Sequence, residues 1–227
     1  MDIRMPRSFA ELSEQQLTYL LTLLAAGFNP NEVQAYCLFR FGNVRPSEIT
    51  PLQAAALLPS IEWLTEPPQE PVRLSRIGRP ATETPYDPYC HTLTFADNLA
   101  VENFYQGYVH TRREELADEM AALLYGGGIE QMSAAERLGV VYWWVGLKAY
   151  LGRRFSHFFR PASSDGEPSG DIRDRLQRET DSQIRALTGG DITKNETVLR
   201  ADMYTALTEL NAKAEEAEEL QKIRSER

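Results

Sequence analysis

SAAERLGVVYWWVGLKAYLGRRFSHFF, running from Ser133 to Phe159, decides the fold class. Ser133 followed three residues later by Glu136 is a capping box, in which hydroxyl and carboxylate each satisfy a backbone N–H of the first turn. A helix is predicted to start there. Its apolar residues are not confined to one stripe: Val140, Val141, Trp143, Trp144, Val145 and Leu147 cover much of the circumference. A helix of that kind belongs in the middle of a domain. Unbroken, it would span about 40 Å, with Gly146 and Gly152 as places where it bends.

Upstream, the same starting grammar recurs. Ser8 with Glu11 forms a capping-box pattern ahead of Leu17, Leu20, Leu21 and Leu24, which share a helical face. Gly27 ends that helix. Asn29 and Pro30 restart the chain as N-cap and first helical residue, and Val33, Tyr36, Cys37 and Phe41 give the next buried stripe. Thr50, Pro51 and Gln53 open a short helix that is expected to end before Pro59. Thr94 with Asp97 opens an aromatic-rich helix, Thr111 caps another, and Gly126-Gly127-Gly128 ends it.

Between these units, Pro67, Pro68, Pro71, Pro80, Pro85 and Pro88 crowd into one stretch. Proline disfavours both helix and central strand. The stretch is read as a connector wrapping the surface, with a short extended piece at Val72, Arg73 and Leu74 and a docked end at Tyr86 and Tyr89. Residues 161–170 (PASSDGEPSG) have the composition of a flexible linker. Beyond them lie an amphipathic helix near 171–187, a Gly189-Gly190 turn, and a second helix starting at Thr193, capped with Glu196.

The expectation is therefore a mainly α protein: a multi-helical globular core with a Pro-rich connector and a C-terminal helical hairpin after a flexible linker. Its parts are an N-terminal helical unit (1–65), the connector (66–92), an aromatic-rich helical core (93–160) packed with the first unit, the linker (161–170) and a two-helix segment (171–227). Composition agrees. With 227 residues, 42% hydrophobic and 25% charged, the chain resembles an ordinary globular protein and is long enough to bury a sizeable core.

The formal net charge is −9, which opposes binding to nucleic-acid phosphates. The one basic and aromatic stripe, Arg153 to Arg160, reads as the cationic end of a helix that complements its dipole. No apolar run approaches a membrane span, and Met1 to Pro6 lacks the apolar core of a signal peptide. Cys37 and Cys90 are too far apart in sequence to suggest a metal or redox motif. A cytoplasmic protein with two free buried thiols is expected, with no membrane and no nucleic-acid partner.

Catalytic patterns are missing. His91, His110 and His157 are scattered, so no metal site is expected. Gly126-Gly127-Gly128 lacks the lysine of a phosphate cradle, and Gly189-Gly190 has Asp191 beside it. No nucleophile elbow occurs. Phe104, Tyr105, Tyr108, Tyr142, Trp143 and Trp144 read as helical core rather than a ligand pocket. No catalytic residue, cofactor or small-molecule ligand is assigned. What remains is a seam on the last helix: Met203, Leu207, Leu210, Ala214 and Ala217, at alternating spacings of four and three, suit one partner helix.

Two stretches bear a resemblance. The opening Met5-Pro6-Arg7-Ser8-Phe9-Ala10-Glu11-Leu12 with Val33 to Arg40, and Ile184 to Lys194 running into Thr205 to Asn211, together resemble uncharacterised proteins of phage and prophage tail-gene clusters from gut bacteria. Some of those are similar to tail assembly chaperones, acidic helical proteins that hold the tape-measure protein before the tail tube forms. The resemblance covers both ends of the chain but not the Pro-rich middle. It implies a non-enzymatic assembly factor whose partner is a tape-measure or other tail protein, acting in the host cytoplasm. In that reading the flexible linker lets the C-terminal helices swing and clamp. The alternatives are a virion component, such as a head–tail connector or baseplate subunit forming a homo-oligomer, and an enzyme of unrecognised type.

Overall fold

The computed structural model describes residues 5–127, 129–160 and 172–225. Among these are nine α-helices and one two-residue β-hairpin: α1 Glu14–Ala25, α2 Pro30–Phe41, α3 Pro51–Leu57, β1 Arg76–Ile77, β2 Thr82–Glu83, α4 Phe95–Thr111, α5 Glu114–Tyr125, α6 Ala134–Arg154, α7 Ile172–Thr188, α8 Asn195–Arg200 and α9 Met203–Ser225. The mainly α, multi-helical fold read from the sequence is what the chain adopts. The 161–170 linker lies outside the described residues.

α6 is the central rod. Ser133 and Glu136 form their capping box, and the helix runs as one element through Gly146 and Gly152 to Arg154. Val140, Trp143, Trp144 and Leu147 are buried. The larger core gathers around them from α1, α4, α5 and α9. A smaller core joins Leu20 and Leu23 of α1 to Val33, Cys37, Leu38 and Phe41 of α2 and to Ile61 and Leu64. α1 therefore serves both cores, with Leu17 and Leu21 turned to the first and Leu20 and Leu23 to the second. Each such side chain contributes roughly 1.5–3 kcal/mol by leaving water.

Several helix starts fall where the sequence puts them. Asn29 with Glu32 and Thr50 with Gln53 are capping boxes, and Thr94 Oγ1 accepts from Asp97 N at 3.1 Å. Others do not. Ser8 makes no capping bond and begins only a three-residue 3-10 turn; α1 is capped by Ser13 with Gln16, a second serine that also has a partner three residues on. The short helix α3 does end before Pro59, at Leu57, and the chain then tightens into a separate 3-10 turn, Leu58–Thr65, in which proline at the second position lacks no bond it needs. Thr111 does not cap α5, whose N-cap is Arg113 with no side-chain bond. The helix placed at Thr193 is divided: a 3-10 turn Ile192–Lys194, α8, and then α9. Asp202 restarts the chain, its Oδ1 accepting from Tyr204 N and Thr205 N at 2.9 and 3.1 Å.

The Pro-rich connector is a belt tied across the core. No strand forms at 72–74; the hairpin comes just after, at β1 and β2. Leu74, Ile77 and Cys90 are buried. The polar groups of the belt find partners on the helices. Ser75 N and Oγ donate to Glu14 Oε1 at 2.8 and 2.6 Å. Gly78 N donates to Glu136 Oε1 at 3.0 Å. Thr84 Oγ1 donates to the Leu124 carbonyl at 2.6 Å. In return, Tyr125 Oη donates to the Leu74 carbonyl at 2.7 Å and Trp143 Nε1 to the Pro88 carbonyl at 2.6 Å. A segment without helix or sheet must satisfy its backbone in this way to be buried.

The C-terminal helices are part of the same body. Thr94 and Asp202 form an antiparallel bridge, with Phe95 N bonded to the Ala201 carbonyl and Met203 N to the Leu93 carbonyl, both at 2.9 Å.

Candidate partner-binding surface

The expected seam divides in two. Met203, Leu207 and Leu210 are buried in the main core, in one cluster with Leu99, Trp144 and Leu151. They face the chain's own helices, so they are not an open seam, and the start of α9 is anchored in the core and is not a swinging clamp. Spacing of four and three marks an apolar stripe but not which polypeptide covers it. Ala214 is half-buried and Ala217 exposed. Past them, Leu220 and Ile223 are 58% and 51% exposed on the last turns of α9.

The open apolar surface lies on the other side of α9. A groove of about 570 Å³ runs between α7, α8 and α9, lined by Leu187, Val198, Ala201, Tyr204, Thr205 and Thr208. α7 supplies one wall because it is amphipathic, with Ile184 and Leu187 partly buried against the core and its charged residues in water. α8 supplies Val198 to the other wall, ending at Arg200 before α9 restarts at Met203. Behind α8 lies a second, more polar depression of about 420 Å³ beside Ile184, Thr188 and Ile192. Ile192 is 80% exposed there.

Tyr204 anchors the groove floor. Its Oη donates to the Tyr89 carbonyl at 2.8 Å, its ring stacks on His91 with centroids 4.9 Å apart, and the Arg154 guanidinium lies 5.5 Å over it. Burial raises its phenol pKa well above the ordinary value. Tyr204 therefore ties the connector, α6 and α9 together at one point. Most of the groove residues, from Ala201 to Glu209, share the stretch of the predicted seam but face away from it, while Leu187 and Val198 come from α7 and α8. The signal that could have found them is the break itself: Asp202 two residues before Tyr204 is an Asx-type start inside what otherwise reads as one helix.

The basic stripe at the end of α6 meets acidic residues of the same chain. Asn211 Oδ1 accepts from His157 N and Phe158 N at 3.1 and 3.2 Å. Glu218 lies 3.0 Å from Arg160 and 3.3 Å from His157 Nδ1. The Arg160 hydrogen bond holds the Glu218 carboxyl below its usual range. Arg153 reaches the Gln69 carbonyl at 2.7 Å and pairs with Glu70. These cations are thus engaged by the chain itself.

The six aromatics do not line one pocket. Consecutive helical residues point about 100° apart, so Tyr142 turns toward Phe9 at 6.1 Å, Trp143 toward Tyr125 at 5.7 Å, and Trp144 donates to Glu102 Oε2 at 2.9 Å. Among the described residues no group of three or more His, Cys, Asp or Glu side chains converges as a metal site. No helix there is long and apolar enough to cross a membrane. Cys37 and Cys90 are buried and free. Burial pushes the Cys37 thiol up to about 12 and Cys90 higher still, which keeps both protonated.

No protein-family model, no curated protein and no solved structure matches this chain.

Proposed function

We propose that this chain is a non-enzymatic assembly factor of the phage-tail type, chaperone-like, that holds an amphipathic helix of a protein partner in the groove between α7, α8 and α9. The observation that carries this reading is the groove itself: an apolar trough of about 570 Å³ on the surface of an otherwise packed helical body. A helix laid into such a trough buries its apolar stripe without any change in the body. Glu209 at the rim and the chain's net charge of −9 favour a partner whose stripe is flanked by Lys and Arg. A tape-measure or other tail protein is the partner class that fits the resemblance at the two ends of the chain.

The seam reading is replaced by this groove, because Met203, Leu207 and Leu210 are already covered. Gene neighbourhood, and co-purification with any tail proteins encoded there, test the proposal. A chaperone is found with its partner before assembly and is absent from purified particles. A protein found within particles is instead a connector or baseplate subunit, and a stable multimer of the chain alone means that a second copy fills the groove. Absence of tail genes from the neighbourhood contradicts all tail readings.

A further inference from the structure

We infer that a second site, distinct from the groove, binds a small organic cation with a guanidinium head. It is a cavity of about 250 Å³ where α4, α6, α7 and the Phe158-Phe159 turn meet. Trp144, Phe158 and Phe159 give it aromatic walls, and the last is 40% exposed. Phe158 and Phe159 stand edge to face with centroids 4.8 Å apart.

The polar lining is mismatched with the apolar junction around it. Glu102 pairs with Lys148 and accepts from Trp144 Nε1 at 2.9 Å and from Gln106 Nε2 at 2.7 Å. Lys148 is further occupied by the Tyr105 ring, 4.7 Å away. Across the cavity stand Glu179, Asn98 and Gln183. The Asn98 and Gln183 side chains make no hydrogen bond to any described residue. Glu179 has only the long, exposed contact of 3.8 Å to Arg175. Two carboxylates thus face one ammonium, and two half-buried carboxamides can each turn an acceptor oxygen toward the cavity and the NH2 group toward water. An anion is disfavoured by the carboxylates. An apolar guest would bury the amides unpaired, which is costly.

A guanidinium meets each requirement. It is planar and weakly hydrated, stacks on aromatic faces, and offers five donors in a fixed fork. The cavity is smaller than a drug-sized site, so it takes this head with a short aliphatic tail. Such a group comes from a free amine such as agmatine or from an arginine side chain of another protein.

Calorimetric titration of the full chain with agmatine and with end-blocked arginine tests the inference. Saturable binding of agmatine alone assigns the site to a free small molecule; comparable binding of blocked arginine assigns it to a side chain. In either case Glu179→Gln and Gln183→Ala, both on the cavity-lining face of α7, should weaken binding about tenfold or more, while Glu216→Gln on α9 leaves it unchanged. Absence of binding by either probe at millimolar concentration overturns the inference, as does equal binding by wild type and the two α7 variants, with unchanged circular dichroism confirming that each variant is folded.

Discussion

The carbonyl oxygen of Glu70 lies 2.2 Å from where a Cβ on Gly146 would stand. The central helix and the connector touch backbone to backbone at that point, with Pro71 Cα only 3.1 Å from the same position. Gly146 is therefore a packing glycine within an unbroken helix, not a bend. Gly139 two turns earlier plays a milder form of this role, with Leu21 and Leu74 methyls at 3.1 and 3.2 Å. Gly146→Ala must displace the belt or the rod. A loss of roughly 1–3 kcal/mol or more is expected, read as a lowered midpoint in urea, whereas Gly152→Ala, which meets nothing within 4 Å, should be neutral or slightly stabilising. Equal effects of the two would contradict the backbone contact.

The placement of α9 makes a second prediction. Leu207→Asp puts a carboxylate into the cluster shared with Trp144 and Leu99. Leaving an unpaired charge there and removing the leucine should cost about 3–5 kcal/mol, seen as loss of cooperative melting. Ala217→Asp on the exposed half of the same helix should stay within about 0.5 kcal/mol of wild type. A well-folded Leu207→Asp protein would restore the idea of a detached clamp.

Glu14 should be one source of acid sensitivity. The Ser75 hydroxyl, donating at 2.6 Å, lowers its pKa, and the Ser75 backbone N–H and nearby Arg73 and Arg76 act in the same direction against burial. A carboxyl held below its unfolded value contributes stability that is present above the ordinary carboxylate range. That contribution is lost as pH falls through the depressed folded value. Glu14→Gln keeps an acceptor for Ser75 but removes the charge. Its urea midpoint should approach that of wild type at strongly acidic pH and fall short of it at neutral pH. Parallel curves at all pH values would argue against the linkage.

The thiols give a simple check on burial. Cys37 and Cys90 are each 0% exposed, with Cys37 pushed up to about 12. Neither should react with a disulfide reagent at mildly alkaline pH until the chain unfolds, and then both should react. Fast labelling of Cys90 in the native protein would mean that the end of the connector opens readily.

The helices were legible because their signals are local. Ser133 with Glu136, Asn29 with Pro30, and Thr50 with Gln53 declare themselves within four residues, and the all-round apolar character of α6 announces its burial. What was hidden depends on distant partners. The connector looked like surface because its prolines exclude helix and strand, yet Leu74 and Ile77 are core residues whose neighbours come from Tyr125 and α1. The C-terminal stripe holds at Met203, Leu207 and Leu210 but not at Ala217, which is exposed, and its cover is the chain's own core, since periodicity specifies a buried face and not what covers it. The groove depends on the kink at Asp202, a single residue in a long helical pattern. The cation cavity joins Asn98, Glu102, Lys148 and Glu179 from three helices, a juxtaposition with no sequence spacing to betray it.

The most direct measurement for the central claim is calorimetric titration of wild type and Thr205→Arg with a tape-measure protein, the partner class proposed above. Thr205 lines the groove and is exposed, so arginine there blocks the trough and leaves the core intact. Saturable binding by wild type and binding at least about tenfold weaker by Thr205→Arg is the predicted result. Indistinguishable binding by the two proteins, or none by either, contradicts it.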